Sequence, residues 1–356
     1  MAQVTDSTRW LLYGANGYTG ELIAREAVRL GLRPVLAGRA AAKIQALAAE
    51  LDCPSAVFRL DDHTATLSSL EGVAAVLNCA GPFSSTAAPL MQACMASHAH
   101  YFDITGEIDV FERAHSLDGQ AQRAGCVVCP GVGFDVVPTD CVAAALKAAL
   151  PDATHLALGF DGTSSLSRGS VRTMVESLHT GTRVRRAGRI VSLPLGEPTR
   201  RIDFGQGERL GVAISWGDVS TAYYTTGIPN IEVYRAMSEP QLERVRGMNR
   251  WRGLARSGLV QYFLKKSMSP RAPGPSATER ANNAMFVWGE AVNAKGVRKT
   301  ARVSTANGYQ ATVYAALGIV HDTLETTPTP GFKTPSMLVG SDYVSHLPGS
   351  TAMRIE

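Results

Sequence analysis

Four groups able to donate, accept or move a proton stand close together in the run His100-Tyr101-Phe102-Asp103-Ile104-Thr105-Gly106-Glu107: Tyr101, Asp103, Thr105 and Glu107. The run reads as a strand and its following turn, so these side chains emerge at one strand end. Chemistry that suits them is the second half of a hydride reduction, in which an enolate or alkoxide is protonated beside the acceptor carbon. Tyr101 is the first candidate donor, with Asp103, Glu107 and Asp135 as alternatives. Thr105 and Glu107 also have a structural reading, because Thr105 can cap a helix starting near Glu107 and an acid favours that end. Asp135 precedes another helix start, marked by Pro138 and by Asp140 in the first turn. No Tyr-x-x-x-Lys pair stands where a short-chain reductase would need it.

A hydride donor must be held beside such a strand end, and the first forty residues contain a holder for one. Trp10-Leu11-Leu12-Tyr13 is a short apolar strand, closed by Gly14, Gly17 and Gly20 before a helix that runs to about Leu30. Free backbone N–H groups and the helix dipole make such a turn an anion site. Gly14, Asn16, Gly17, Tyr18, Thr19 and Gly20 are therefore assigned to a dinucleotide. The spacing is Gly-x-x-Gly-x-x-Gly and not the usual Gly-x-Gly-x-x-Gly, and glycines can also be plain turn punctuation. The second strand, Val35-Leu36-Ala37, ends at Arg39. An acid there would hold a ribose 2′-hydroxyl, whereas an arginine suits a 2′-phosphate, so the expected cofactor is NADP(H).

Further strands are expected near Ala56–Leu60, Ala74–Leu77 and Cys126–Pro130, alternating with helical patterns, as in a parallel sheet covered on both faces. Asp61 should border the adenine. Asn78, Cys79, Ala80, Gly81 and Pro82 follow the fourth strand and should contact the cofactor at the crevice of the sheet.

From about Ala153 the texture changes to strands at Thr154–Phe160, Arg209–Trp216, Ser220–Thr226, Ile231–Met237, Phe286–Asn293 and Thr300–Ser304. Helices are expected over Val171–Thr180, capped by Ser170, and Thr312–Thr323. The fold class is α/β: an N-terminal Rossmann-type doubly wound parallel sheet over 1–138, a second α+β domain on a mainly antiparallel sheet over 139–325, and a tail, 326–356, returning across the first domain. Basic residues cluster at Arg183, Arg185 and Arg186, and again over 244–271, read as a basic amphipathic helix. That helix either covers the core or touches a membrane surface or an acyl carrier.

The chain has 356 residues, 45% hydrophobic and 19% charged, with net charge +4, which describes a globular protein and does not point to nucleic acid. No run is long enough to span a membrane and no basic-then-apolar leader stands at the start, so the expected location is the cytoplasm. All six cysteines precede residue 142 in apolar patterns, and Cys126-x-x-Cys129 lies in a strand, so no metal site is expected.

Taken together, the motifs resemble the saccharopine dehydrogenase-like oxidoreductases. Those that carry the likeness are Gly14–Gly20, Ala-Gly-Arg at 37–39, Asn-Cys-Ala-Gly-Pro-Phe at 78–83, Tyr-Phe-Asp-Ile-Thr-Gly-Glu at 101–107 and Gly-Phe-Asp-Val-Val-Pro-Thr-Asp at 133–140. Pro-Gly-Pro-Ser near 273–276, Val-Trp-Gly-Glu at 287–290, Gly-Tyr-Gln-Ala-Thr at 308–312 and Thr-Pro-Ser at 334–336 are similar to the branch that includes mycobacterial trans-acting enoyl reductases. The resemblance implies a Rossmann domain, a second α/β domain and nicotinamide-dependent reduction, without implying saccharopine as substrate. The leading expectation is an NADP(H)-dependent oxidoreductase that reduces an unsaturated or carbonyl compound, small or acyl-chain derived, acting as a monomer or homodimer. The alternatives are an amino-acid dehydrogenase of the saccharopine type, favoured by an arginine-lined pocket, and a non-catalytic NADPH-binding sensor or scaffold.

Overall fold

Short apolar runs bounded by turns form the first sheet. The strands are Trp10–Tyr13 (β1), Val35–Gly38 (β2), Ser55–Val57 (β3), Ala75–Asn78 (β4), His100–Asp103 (β5) and Val127–Cys129 (β6). Every residue of β1, β2, β4 and β6 is buried, as expected of parallel strands covered on both faces. A late strand, Gly331–Phe332, adds to β6, and the order across the sheet is Gly331–Phe332, β6, β5, β4, β1, β2, β3, parallel throughout. The central order 3-2-1-4-5-6 read from the other edge is that of a doubly wound dinucleotide-binding fold. Its helices are Tyr18–Arg29 (α1), Ala41–Leu51 (α2), His63–Ser69 (α3), Phe83–Ala96 (α4), Ile108–Ser116 (α5) and Asp118–Ala124 (α6).

The computed structural model describes residues 9–162, 178–257 and 274–356. The chain divides into two compact units, Met1–Phe134 with Thr312–Val339 and Asp135–Ala311 with Gly340–Glu356.

The second unit opens with the helix Val137–Ala149 (α7) and the strand Ala153–Asp161 (β7). There follow Thr182–Arg186 (β8), Arg189–Leu193 (β9), Thr199–Asp203 (β10), Glu208–Ala213 (β11), Asn230–Ala236 (β12), Met285–Asn293 (β13) and Arg298–Thr305 (β14). With Gly331–Phe332 counted as β15 in the first sheet, Arg354–Ile355 is β16, the edge strand of the second. All pairs in this sheet are antiparallel except β7 with β12. The side chains of Val142 and Leu146 on α7 come down on Gly289 of β13. A Cβ there would lie 2.5 Å from Val142 Cγ1 and 2.8 Å from Leu146 Cδ1, so the glycine of Val-Trp-Gly-Glu is what permits the approach.

Ser220–Thr226 is not a strand. It lies within the helix Asp218–Thr226 (α8), whose composition, Asp-Val-Ser-Thr-Ala-Tyr-Tyr-Thr-Thr, favours strands by residue type. Tertiary context overrides that preference. Asp218 stands in the first turn, Gly227 ends the helix at φ 69°, and one face packs on α7. The basic stretch at 182–188 belongs to a hairpin, β8–β9, turning at Ala187 and Gly188 with φ 46° and 77°. The described part of the second basic stretch is a helix, Glu239–Gly247, followed by a 3₁₀ helix, Met248–Arg256, in place of one continuous amphipathic helix. Residues 258–271 of that stretch, and the expected cap and helix between 167 and 177, lie outside the described residues. Among the described residues no helix is long and apolar enough to cross a membrane.

Candidate functional site

Parallel pairing brings the carboxyl ends of the strands level. Tyr13 stands opposite Ala37 on one side and Asn78 on the other, and Asn78 stands opposite Asp103. The glycine turn leaves β1 at this edge. Gly14 adopts φ 80°, and a Cβ on it would fall 2.8 Å from the Ala80 backbone nitrogen, so the turn after β1 and the turn after β4 are pressed together. At Gly20 a Cβ would stand 2.3 Å from the Gly14 oxygen, which only glycine avoids. Gly17 is the N-cap of α1 with no side-chain cap hydrogen bond. A glycine N-cap brings no side chain over the first turn of α1, the arrangement of a dinucleotide site. Asn16, half-buried, points its side-chain oxygen at the end of β2, 3.2 Å from where a Gly38 Cβ would be. Arg39 follows directly and is exposed. These residues fit an NADP(H) molecule, with the pyrophosphate at Gly14–Gly20 and the 2′-phosphate at Arg39.

Asn78 is fully buried, with both side-chain donors and its side-chain oxygen engaged. Its Nδ2 donates to Thr86 Oγ1 at 3.1 Å and to the Tyr101 hydroxyl at 3.2 Å, while its Oδ1 accepts from the Ala80 N–H at 3.0 Å. It therefore shapes the Asn78–Pro82 turn from within, leaving Cys79, Ala80, Gly81 and Pro82 as its accessible part.

Tyr101 and Asp103 are 0% exposed. The Tyr101 hydroxyl donates to Asp103 Oδ2 at 2.8 Å, and Asp103 Oδ1 accepts from the Thr105 and Gly131 N–H groups at 3.0 and 2.9 Å. Burial pushes the Asp103 carboxyl up to about 7 against the pull of those donors, and burial together with Asp103 holds the Tyr101 hydroxyl far above its ordinary range. This is a closed network that ties β4, β5 and the Gly131 turn together. Glu107 is committed as well: Oε1 accepts from Phe83 N–H at 2.9 Å and Oε2 from Ser84 N–H at 2.8 Å, so it caps α4. Thr105 Oγ1 accepts from the Glu107 N–H at 3.0 Å ahead of α5.

Asp135, at the start of the second unit, differs from these. It is half-buried and forms no hydrogen bond among the described residues, and burial lifts its carboxyl to about 6. On α8, Asp218 is fully buried and was masked in the sequence by its strand-like surroundings. Thr139 Oγ1 lies 3.0 Å from the Val136 oxygen and 2.8 Å from Asp218 Oδ2. The single hydroxyl hydrogen has two acceptors to choose from, and the shorter contact is its donation to Asp218. Burial and the nearby charge of Asp140 push the Asp218 carboxyl well above its ordinary range, against the pull of Thr139. Asp140 itself accepts from Thr225 Oγ1 at 2.5 Å.

Asp61 lies beyond β3 and pairs with Arg59, Nε to Oδ1 at 2.9 Å and Nη2 to Oδ2 at 2.6 Å. Two arginines of the first basic cluster are engaged within the second unit. Arg185 is buried, donates to the Val219 and Gly188 oxygens at 2.8 Å each and lies 4.2 Å from the Tyr223 ring centre. Arg186 pairs with Glu232.

A glycine turn on β1, a glycine-capped helix start and an exposed arginine after β2 define the first unit as a dinucleotide-binding Rossmann domain. Within that class, residues 10–129 match the family model described as the saccharopine dehydrogenase NADP binding domain, and the cofactor is NADP(H). The chain is 33% identical over 202 residues to a putative trans-acting enoyl reductase of Mycobacterium tuberculosis, covering 52% of this chain and 47% of that protein. It is 31% identical over 147 residues to a probable mitochondrial saccharopine dehydrogenase-like oxidoreductase of Arabidopsis thaliana, covering 36% and 32%. The matched region thus spans less than half the length of either relative. Among solved structures, the apo L-Glu-forming saccharopine dehydrogenase of Saccharomyces cerevisiae shares the fold with a TM-score of 0.63, 98% of this chain and 99% of that one aligned, at 11% identity.

Proposed function

We propose that the chain is an NADPH-dependent reductase of a polarised double bond, with an enoyl thioester as the leading substrate class. The observation that carries the reading is the glycine turn with Arg39 at the carboxyl edge of the first sheet. The enoyl class rests on the name of the mycobacterial relative. NADPH, when bound, supplies a hydride. The chain's own part is to hold the pyrophosphate and the 2′-phosphate and to deliver one proton to the carbon or oxygen left negative. Asp135 suits that delivery better than Tyr101, Asp103 or Glu107, because its carboxyl has no hydrogen-bond partner among the described residues and burial brings it to about 6, near working pH. Tyr101 and Asp103 then act by holding the turn after β4 through Asn78. Engagement of Arg185 and Arg186 within the second unit takes support from the amino-acid dehydrogenase reading.

The test is NADPH oxidation against a panel of enoyl thioesters, ketones and saccharopine-like imines, beside direct titration of NADPH and NADH. Arg39→Glu should weaken NADPH binding by roughly 30-fold or more while sparing NADH, since a cation facing a phosphate becomes an anion. Binding of NADPH with no acceptor oxidising it would favour a sensor. Tighter binding of NADH than of NADPH would sink the assignment of Arg39.

A further inference from the structure

Arg39 has a neighbour across the next strand. In the β2–β3 pairing Gly38 stands opposite Val57, and the Phe58 N–H donates to the Gly38 oxygen at 3.3 Å. The chain therefore leaves β2 at Arg39 and passes β3 at Arg59 on the same edge of the sheet. Phe58 between them is buried, with its ring 5.0 Å from that of Tyr13 at the end of β1. Arg59 is exposed, and its guanidinium is gripped on two nitrogens by Asp61, which is also exposed.

Two guanidiniums thus stand with one carboxylate where the adenosine ribose lies in a fold of this order. Electrostatics agree with the grouping. Arg59 first, and Arg39 after it, hold the Asp61 carboxyl below its usual range, and both arginines act on the Tyr13 hydroxyl against its burial. Each oxygen of Asp61 already accepts one hydrogen bond from Arg59, so the carboxylate is engaged with a guanidinium in the absence of cofactor.

We propose that Arg59 is the second ligand of the cofactor's 2′-phosphate, facing Arg39, and that Asp61 stands in for that phosphate until the cofactor arrives. The inference rests on Arg39 being the first 2′-phosphate ligand. An exposed ion pair is held weakly, whereas a phosphate dianion offers the planar fork a doubly charged partner and gains from two cations at once. Asp61 left beside the phosphate then repels it, which makes the carboxylate a brake on affinity.

The experiment titrates the full chain by protein fluorescence with NADPH, NADH, 2′,5′-ADP and 5′-AMP. Arg59→Gln should weaken NADPH and 2′,5′-ADP by about tenfold, while NADH and 5′-AMP stay within about twofold. Asp61→Asn should tighten NADPH by about two- to fivefold and leave NADH unchanged. An equal effect of Arg59→Gln on phosphorylated and unphosphorylated ligands would overturn the proposal, as would weakening of NADPH by Asp61→Asn. Arg39→Gln run alongside separates the two levels. If Arg39→Gln abolishes the preference for 2′-phosphate and Arg59→Gln does not, the second ligand alone is wrong. Where neither change touches the preference, the assignment of Arg39 falls too.

Discussion

At the scale of single residues, the carboxylates near the first strand ends share one chemistry and differ in environment. Asp103 spends its oxygens on two backbone N–H groups and the Tyr101 hydroxyl, and Glu107 on two backbone N–H groups, while Asp135 has no hydrogen-bond partner among the described residues. A raised folded pKa means that the folded state binds the proton more tightly than the unfolded chain. Stability from Asp135 is therefore fully present below the unfolded value near 4 and is lost as pH rises through about 6. Asp135→Asn keeps the shape and removes the titration. Thermal unfolding at pH 8 should show the variant more stable by about 1–2 kcal/mol, after allowance for partial exposure, with the gain vanishing at pH 4. If Asp135 also delivers the proton, the same variant loses turnover while NADPH affinity holds. A variant less stable at pH 8 would mean that a partner holds the carboxylate ionised. The roles of the carboxylates could not be told apart in the sequence, because Asp103 and Glu107 differ from Asp135 in the groups that meet them and not in their own chemistry. Those groups come from residues as distant as Gly131 and Phe83.

At the scale of elements, six of the seven strands of the first sheet could be read from sequence as short runs stopped by glycine, proline or a polar residue, whereas β15, two residues long, carries no such signal. The second sheet was harder. α8 is written in strand-forming residues, and β8–β9 hides its hairpin signal, Ala187-Gly188, among arginines. In both cases packing elsewhere in the chain decides the local outcome. The α4 cap shows the same dependence on remote residues. Pro82 precedes Phe83–Ala96 and has no capping side chain, so Glu107, from the end of the next strand's turn, supplies two acceptors to the first turn. Glu107→Gln keeps one oxygen and loses the charge, which should cost about 1–2 kcal/mol. For a unit of this size that lowers the melting temperature by roughly 3–6 °C. A proton donor would behave otherwise: turnover would fall with the melting temperature unchanged.

At the scale of the whole molecule, neither unit is continuous in sequence, and the last thirty or so residues serve both. Gly331 and Lys333 N–H groups donate to the Cys126 and Val128 oxygens at 2.9 and 3.0 Å, and the Phe332 N–H donates to Asp118 Oδ1 at 2.8 Å. The Phe332 ring meets His115 edge-on at 5.3 Å. Further on, Glu356 and Thr300 exchange backbone hydrogen bonds at 2.9 and 3.0 Å, and Arg302 pairs with Glu356 at 3.0 Å. Each sheet therefore has an edge closed by the tail, but the two closures differ in what they hide. β15 covers β6, whose residues are all buried and apolar, while β16 covers part of a strand whose outward residues are charged or polar. An uncovered apolar edge is a pairing template for another chain. Ending the chain after Val339 removes β16 together with the helix Tyr343–His346 and its buried Val344, leaves β15 in place, and should keep NADPH affinity within about threefold while lowering the melting temperature. Ending it after Thr326 also strips β6 and exposes Phe332's side of the sheet, worth about 2–3 kcal/mol in buried aromatic surface alone. The shorter chain should melt at least 5 °C below the longer one and aggregate on standing, as followed by light scattering. Equal melting temperatures for the two truncations would show that β15 lies on the first sheet without stabilising it.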